Sequence, residues 1–164
     1  MFNILEKVRV YAPLIIIIAL IIGLTLCKQI LYGLSMHDFM YDFMAFTFLI
    51  FGGIKMFNWH GFIDAFRSYD DVAQKFYWYA ALYPLFEVGL GLFYLFRLFP
   101  VFTNSVTILL AAFTTFSVVK ELRKNNPFPC ACLGAVFVLP MTWVTLFENI
   151  FMIVMAFLLL IKSF

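Results

Sequence analysis

Apolar residues are grouped into five long runs, separated by short polar segments. The runs cover residues 13–32, 39–57, 76–99, 101–119 and 141–161. A helix needs about 20 mostly apolar residues to cross the hydrocarbon core of a bilayer, so each run is long enough to span a membrane. The pattern predicts an all-α, polytopic helical membrane protein with five spans.

Two polar connections are long enough to hold structure of their own. Residues 58–75 carry Trp59, Phe62 and Phe66 at helical spacing with charged residues between them, which predicts a short helix lying in the membrane interface. Residues 120–140 contain prolines at 127, 129 and 140, so a continuous helix is not expected there. The first apolar run is longer than the core of a typical signal peptide, which favours an uncleaved helix.

Composition and charge support a membrane location. Apolar residues make up 65% of the 164 residues and charged residues only 12%, about half the share found in globular domains. With a net charge of +2 and no run of like charges, no nucleic-acid partner is expected. With five spans, eight Lys and Arg residues fall on one side and three on the other, which places the N-terminus in the cytoplasm.

Two cysteines are the strongest candidates for a catalytic role. Cys130 and Cys132 lie in PFPCACLG, between prolines and a glycine. A disulfide between residues so close would be strained and easily reduced, which suits thiol–disulfide exchange. Two thiolates at this spacing would also suit Cu(I), and a third interpretation is that both residues only fill space. Cys27, within the first run, is expected to be structural.

Three charged residues within or at the ends of spans are candidates for supporting roles. Glu87 and Glu148 stand inside apolar runs, where an ionised group costs roughly 2.5–3.5 kcal/mol. Lys55, at the end of the second run, is the expected partner of Glu87. The pair would then fix helix register, unless burial keeps the carboxylates protonated. Glu148 follows the cysteines and would tune a thiol or accept its proton if their segment enters the bilayer.

Methionine and histidine offer an alternative metal site. Met36, Met40 and Met44 recur on one helical face, beside His37. Thioether, imidazole and thiolate ligands together suit Cu(I), so Met36, His37 and Met40 would join Cys130 and Cys132 in a copper site. The competing interpretation is that the methionines fill gaps in an apolar core.

Three motifs, in this order, resemble the MauE/DoxX-like family of redox-associated bacterial membrane proteins. They are GGIKMF, YPLFEVGLGLFYL and NNPFPCACLG, and the resemblance covers about residues 39–161. It implies a four-helix domain over 39–164, with residues 1–38 adding a first membrane helix. By position, Lys55 and Glu87 match the family's lysine and glutamate, and Cys130 and Cys132 match its paired cysteines. The family usually has CGCFG where this chain has CACLG.

The resemblance implies a function in thiol–disulfide chemistry. The expected protein is a redox or maturation factor of the methylamine-utilisation type, located in the bacterial inner membrane. Its implied partner is a thioredoxin-like or maturation protein, and a quinone is a candidate electron acceptor. Whether the chain is itself a thiol–disulfide oxidoreductase component stays open at this point. The alternatives are a membrane protein that handles copper and a non-catalytic membrane assembly subunit.

Overall fold

The computed structural model describes residues 4–33, 35–123 and 143–162. Within these ranges every regular element is an α-helix, so the all-α prediction is confirmed. The helices are α1 (Ile4–Tyr32), α2 (Met36–Phe57), α3 (Trp59–Tyr69), α4 (Asp71–Lys75), α5 (Tyr77–Leu95), α6 (Pro100–Arg123) and α7 (Trp143–Ile161). Cys130 and Cys132 lie outside the described residues.

Among the described residues, four helices are long and apolar enough to cross a membrane, namely α1, α2, α5 and α6. In α7 the described apolar stretch, Leu146–Ile161, is shorter. The fifth predicted run began at residue 141, and residues 141–142 are among those not described. The architecture is therefore that of a polytopic helical membrane protein, with four helices of spanning length and a shorter apolar fifth.

The turn between α5 and α6 begins earlier than the apolar pattern predicted. The third run extended to residue 99, but α5 ends at Leu95. The backbone then turns through Arg97 and Phe99, whose φ angles are 55° and 45°. Left-handed conformations interrupt a helix regardless of hydrophobicity, which is why the pattern missed this end. Pro100 is the first residue of α6, where a backbone N–H has no partner within the helix. Proline lacks this N–H, so it is well suited to this position.

The predicted interfacial helix is two helices, and its apolar face is buried in the protein. Asp70 has extended backbone angles and separates α3 from α4, and its side chain accepts from Val72 N at 3.0 Å and Ala73 N at 2.8 Å. Such a cap starts a new helix. Phe62 and Phe66 on α3 are 1–2% exposed and pack against α5. The prediction of a short helix in this connection is therefore confirmed, with a second short helix after it, and the apolar face of α3 packs inside the protein.

Helices α2 and α5 approach each other closely at two glycines. A Cβ added at Gly52 would lie 2.9 Å from Val88 Cγ2 and 3.2 Å from the Val88 backbone nitrogen. A Cβ added at Gly91 would lie 2.8 Å from Leu49 Cγ and 3.0 Å from the Leu49 backbone nitrogen. Small residues at such positions let membrane helices pack backbone to backbone.

Helix α1 lies along α2, and an ion pair with a buried carboxylate links the two helices. Leu14 packs against Phe51 and Ile54 of α2. Lys28 Nζ donates to Asp42 Oδ1 at 2.6 Å, and the Asp42 side chain is only 2% exposed. From residue 12 onward, most of the remaining α1 surface is apolar and exposed, as expected for a helix facing lipid.

Candidate functional site

The centre of the candidate site is a buried ion pair. Lys55, near the end of α2, donates from Nζ to Glu87 Oε1 at 2.5 Å and to Oε2 at 2.7 Å. Both side chains are 9% exposed. Because each isolated charge would be costly inside a membrane, the pairing is what allows both to remain there. The structure thus brings together the two residues that the sequence predicted as partners.

Two aromatic rings complete the surroundings of the Lys55 ammonium group. Its Nζ lies 5.5 Å from the centre of the Phe62 ring and 5.3 Å from the centre of the Tyr83 ring. These distances are within the range of cation–π attraction. Phe62 reaches this position because α3 folds back onto α5. The sequence analysis missed this contact, since it depends on the angle at which α3 leaves α2.

A cavity of about 490 Å³ lies beside the ion pair. It is lined by residues of α1, α2, α3, α5, α6 and α7, and its lining is mostly apolar and aromatic. The polar lining residues are Thr47, Lys55, Tyr69, Tyr83, Glu87, Thr107, Thr114, Glu148 and Asn149. A largely apolar cavity with few convergent polar groups is typical of a small-molecule site.

Glu148 contributes the second carboxylate of the cavity. It lies on α7 and lines the same space as Lys55 and Glu87. Its Oε1 atom is buried and has no hydrogen-bond partner within residues 4–33, 35–123 and 143–162. A buried oxygen in this condition costs free energy unless a donor reaches it. Glu148 is therefore the polar group in the cavity with unused bonding capacity.

The cysteine segment is connected to this end of the bundle. It follows Arg123 at the end of α6 and precedes Trp143 at the start of α7. Glu148 is five residues into α7, about 8 Å along the axis. Nearby, Lys120 Nζ donates to both oxygens of Asp71 at 2.7 and 2.5 Å. Lys120 is thus already paired with a carboxylate.

The three described residues of the alternative copper site, Met36, His37 and Met40, lie at the other end of α2. Met36 is 69% exposed at the start of the helix, His37 contacts the Tyr41 ring, and Met40 is buried in the core. Helix α2 is about 33 Å long, and Lys55 near its far end lies by the cavity. Within the described residues, no group of three or more His, Cys, Asp or Glu side chains is arranged to hold a metal ion.

Two further buried polar features were not predicted. Asp42 pairs with Lys28 between α1 and α2, and the only sequence signal was an acid inside an apolar run. The Tyr94 hydroxyl lies 2.9 Å from Asn104 Oδ1 and 3.0 Å from Thr107 Oγ1. These uncharged side chains link α5 to α6. Nothing in the residue pattern distinguishes them from polar residues that face lipid headgroups.

Comparison with models of protein families identifies the family to which the chain belongs. The family model described as methylamine utilisation protein MauE matches residues 35–162, which is most of the chain. The chain belongs to the MauE family. A search of curated proteins and a search of solved structures found no match.

The MauE match contains the ion pair, the second carboxylate and the cysteine pair. It begins at Ser35, immediately before α2, so α1 precedes the matched range. Lys55, Glu87 and Glu148 therefore lie within the part of the chain that the MauE family model matches. Family membership and the helical membrane architecture are consistent with each other.

Proposed function

We propose that this MauE protein is a membrane thiol–disulfide redox or maturation factor whose working groups are Cys130 and Cys132. The support is chemical. Two thiols one residue apart, between prolines and a glycine, form a small, easily reduced disulfide. The family is described as methylamine utilisation protein, and the proposed role is that of a maturation factor for another protein.

The observation that carries this proposal is the position of the residues flanking the cysteines. Arg123 and Trp143 are the described residues that bracket residues 124–142, and α6 and α7 pack against each other. The same two helices line the cavity that contains Glu148, Lys55 and Glu87. The segment that carries the thiols therefore joins two helices that both line this cavity.

The proposed exchange passes two electrons and two protons. A thiolate of a thioredoxin-like or maturation partner attacks the Cys130–Cys132 disulfide and forms a mixed disulfide. The partner's second thiolate then attacks the mixed disulfide, which leaves the partner oxidised and both cysteines reduced. A quinone in the bilayer is the proposed acceptor that reoxidises them, and it becomes a quinol by taking up the two electrons and two protons.

Three residues are proposed to support the exchange. Glu148 receives a proton when a thiol ionises, because the thiolate is the reactive form and Glu148 Oε1 is free to accept a donor. Lys55 and Glu87 hold each other in place at 2.5–2.7 Å. Their pairing fixes α2 against α5 beside the cavity that Glu148 also lines.

The proposed location is the bacterial inner membrane with a cytoplasmic N-terminus. The support is the distribution of basic residues. Lys120 and Arg123 at the end of α6 lie at the same end of the bundle as Lys75 at the end of α4, next to the start of α5. Basic residues are retained on the cytoplasmic side of membrane proteins.

A trapping experiment tests the proposal. In a Cys27→Ser background, Cys130→Ser and Cys132→Ser are each made singly, so that the remaining thiol can attack an oxidised partner, in the reverse of the exchange, and no second thiol of the pair is present to resolve the mixed disulfide. One of the two variants is expected to accumulate a covalent complex with a thioredoxin-fold protein, visible on a non-reducing gel and lost on reduction. The matched control is Cys27→Ser alone, since Cys27 is exposed on α1. Absence of a complex in both variants would contradict the proposal.

A further inference from the structure

Lys55 shows which chemical group the cavity stabilises. Its alkylammonium group is surrounded by one carboxylate, at 2.5 and 2.7 Å, and by the rings of Phe62 and Tyr83. A carboxylate and aromatic faces together replace the water that an ammonium ion loses on burial. These groups together form a binding site for an ammonium ion, and the side chain of Lys55 occupies it.

The same cavity contains a second carboxylate that lacks such a partner. Glu148 Oε1 is buried and unpaired among the described residues, while Lys55 already bonds with both oxygens of Glu87. Among the described lining residues, Lys55 is the one basic side chain. When Glu87 and Glu148 are both ionised, the described lining carries two negative charges and only the one positive charge of Lys55.

Aromatic rings line the same cavity as this second carboxylate. Phe147, next to Glu148, and Phe151, one turn along α7, both line the cavity, and their ring centres are 6.5 Å apart. The Phe43 ring from α2 meets Phe151 edge to face at 5.8 Å. The cavity that Glu148 lines therefore contains aromatic rings as well as an unpaired carboxylate oxygen.

From the unpaired carboxylate oxygen and the aromatic lining we infer that the cavity binds a small organic ammonium ion, with its charged group at Glu148 and its apolar body among the rings. The volume of about 490 Å³ is within the usual range for small-molecule sites, roughly 300–1,000 Å³. A hydrated inorganic cation fits less well, because the mostly apolar lining cannot replace its water. This binding activity is independent of the cysteines and goes beyond the proposed redox role.

The test compares two ligands that differ in charge. Phenethylammonium and 2-phenylethanol share a ring and an ethyl chain, but only the first carries a cation. Binding of each to the purified full-length protein is measured by titration calorimetry. The ammonium is expected to bind at least about tenfold more tightly than the alcohol, because a buried charge-assisted hydrogen bond is worth that much or more. Equal binding, or no ammonium binding, overturns the inference.

Variants locate the site. Glu148→Gln is expected to weaken phenethylammonium binding by at least about tenfold while leaving the alcohol unchanged. Asp64→Asn removes an exposed acid from α3 and is expected to bind as the wild type does, which controls for net charge. Undiminished ammonium binding in Glu148→Gln overturns the inference. The Cys130→Ser/Cys132→Ser protein is expected to bind normally, so failure of the redox proposal would not affect this result.

Discussion

Lys55 is the residue around which the buried site is organised. Its ammonium group bonds with both oxygens of Glu87 and lies between Phe62 and Tyr83. Each contact depends on the charge being present. The site therefore tolerates the loss of both charges better than the loss of one, because a lone charge would stay buried without a partner.

Glu87→Gln is expected to lower the free energy of unfolding by about 3–5 kcal/mol, since Lys55 would remain buried and unpaired. Thermal unfolding in detergent measures the effect. The matched control is Lys120→Gln, which breaks a pair whose side chains are 38% and 51% exposed and should cost no more than about 1 kcal/mol.

The double variant Lys55→Met/Glu87→Leu separates charge from packing. It removes both charges and keeps apolar bulk, so it is expected to be more stable than Glu87→Gln. If the double variant is no more stable than the single one, the buried pair does not have the energetic role assigned to it.

At the scale of elements, the contact between α2 and α5 depends on two of four neighbouring glycines. Gly52 and Gly91 each face backbone and side-chain atoms of the opposite helix at about the closest possible distance, whereas nothing lies within 4 Å of a Cβ at Gly53 or Gly89. Since Lys55 is on α2 and Glu87 on α5, this contact also sets the geometry of the ion pair.

Gly52→Ala and Gly91→Ala are expected to destabilise the protein by about 1–3 kcal/mol, because the added methyl group pushes on the facing helix. Gly53→Ala and Gly89→Ala are the controls and should be neutral or slightly stabilising, as alanine favours helix more than glycine does. Denaturation in detergent compares the four variants. The same cost at all four positions would refute the close-contact explanation.

The elements also show what the sequence determines and what it leaves to tertiary structure. Run length alone predicted α1, α2, α5 and α6, because crossing a bilayer demands long apolar segments. The ends at Leu95 and at Asp70 depend on left-handed or extended backbone at single residues, which hydrophobicity does not encode. The Lys55–Glu87 pair was predictable because buried charges need partners, but the Phe62 contact depends on how α3 folds back.

At the scale of the whole molecule, α1 is an addition to the core that matches MauE. It precedes the matched range 35–162 and is tied to that range by Lys28 and Asp42 at 2.6 Å. Asp42 is 2% exposed in its side chain, whereas Lys28 is 30% exposed. The buried Asp42 therefore depends on Lys28 of α1 for an ionic partner. Lys28 is more exposed and depends less on Asp42.

Removing residues 1–33 is expected to destabilise the remaining chain, because Asp42 would lose its cation and its cover. Adding Asp42→Asn to the shortened chain should recover part of the loss, since a neutral amide is less costly to expose to lipid. The yield of monodisperse protein and its unfolding temperature report both effects. No benefit from Asp42→Asn in the shortened chain would show that the ion pair is not what makes α1 necessary.

The most direct test of the proposed function is the redox state of Cys130 and Cys132 in native membranes. A Cys27→Ser protein is treated with a bulky maleimide before and after mild reduction, and its gel mobility is compared. A thiol–disulfide factor is expected to gain two maleimide groups only after reduction, in at least part of the population. Two thiols that react fully without reduction, and that stay reduced when an oxidised thioredoxin-like partner is added, would contradict the account.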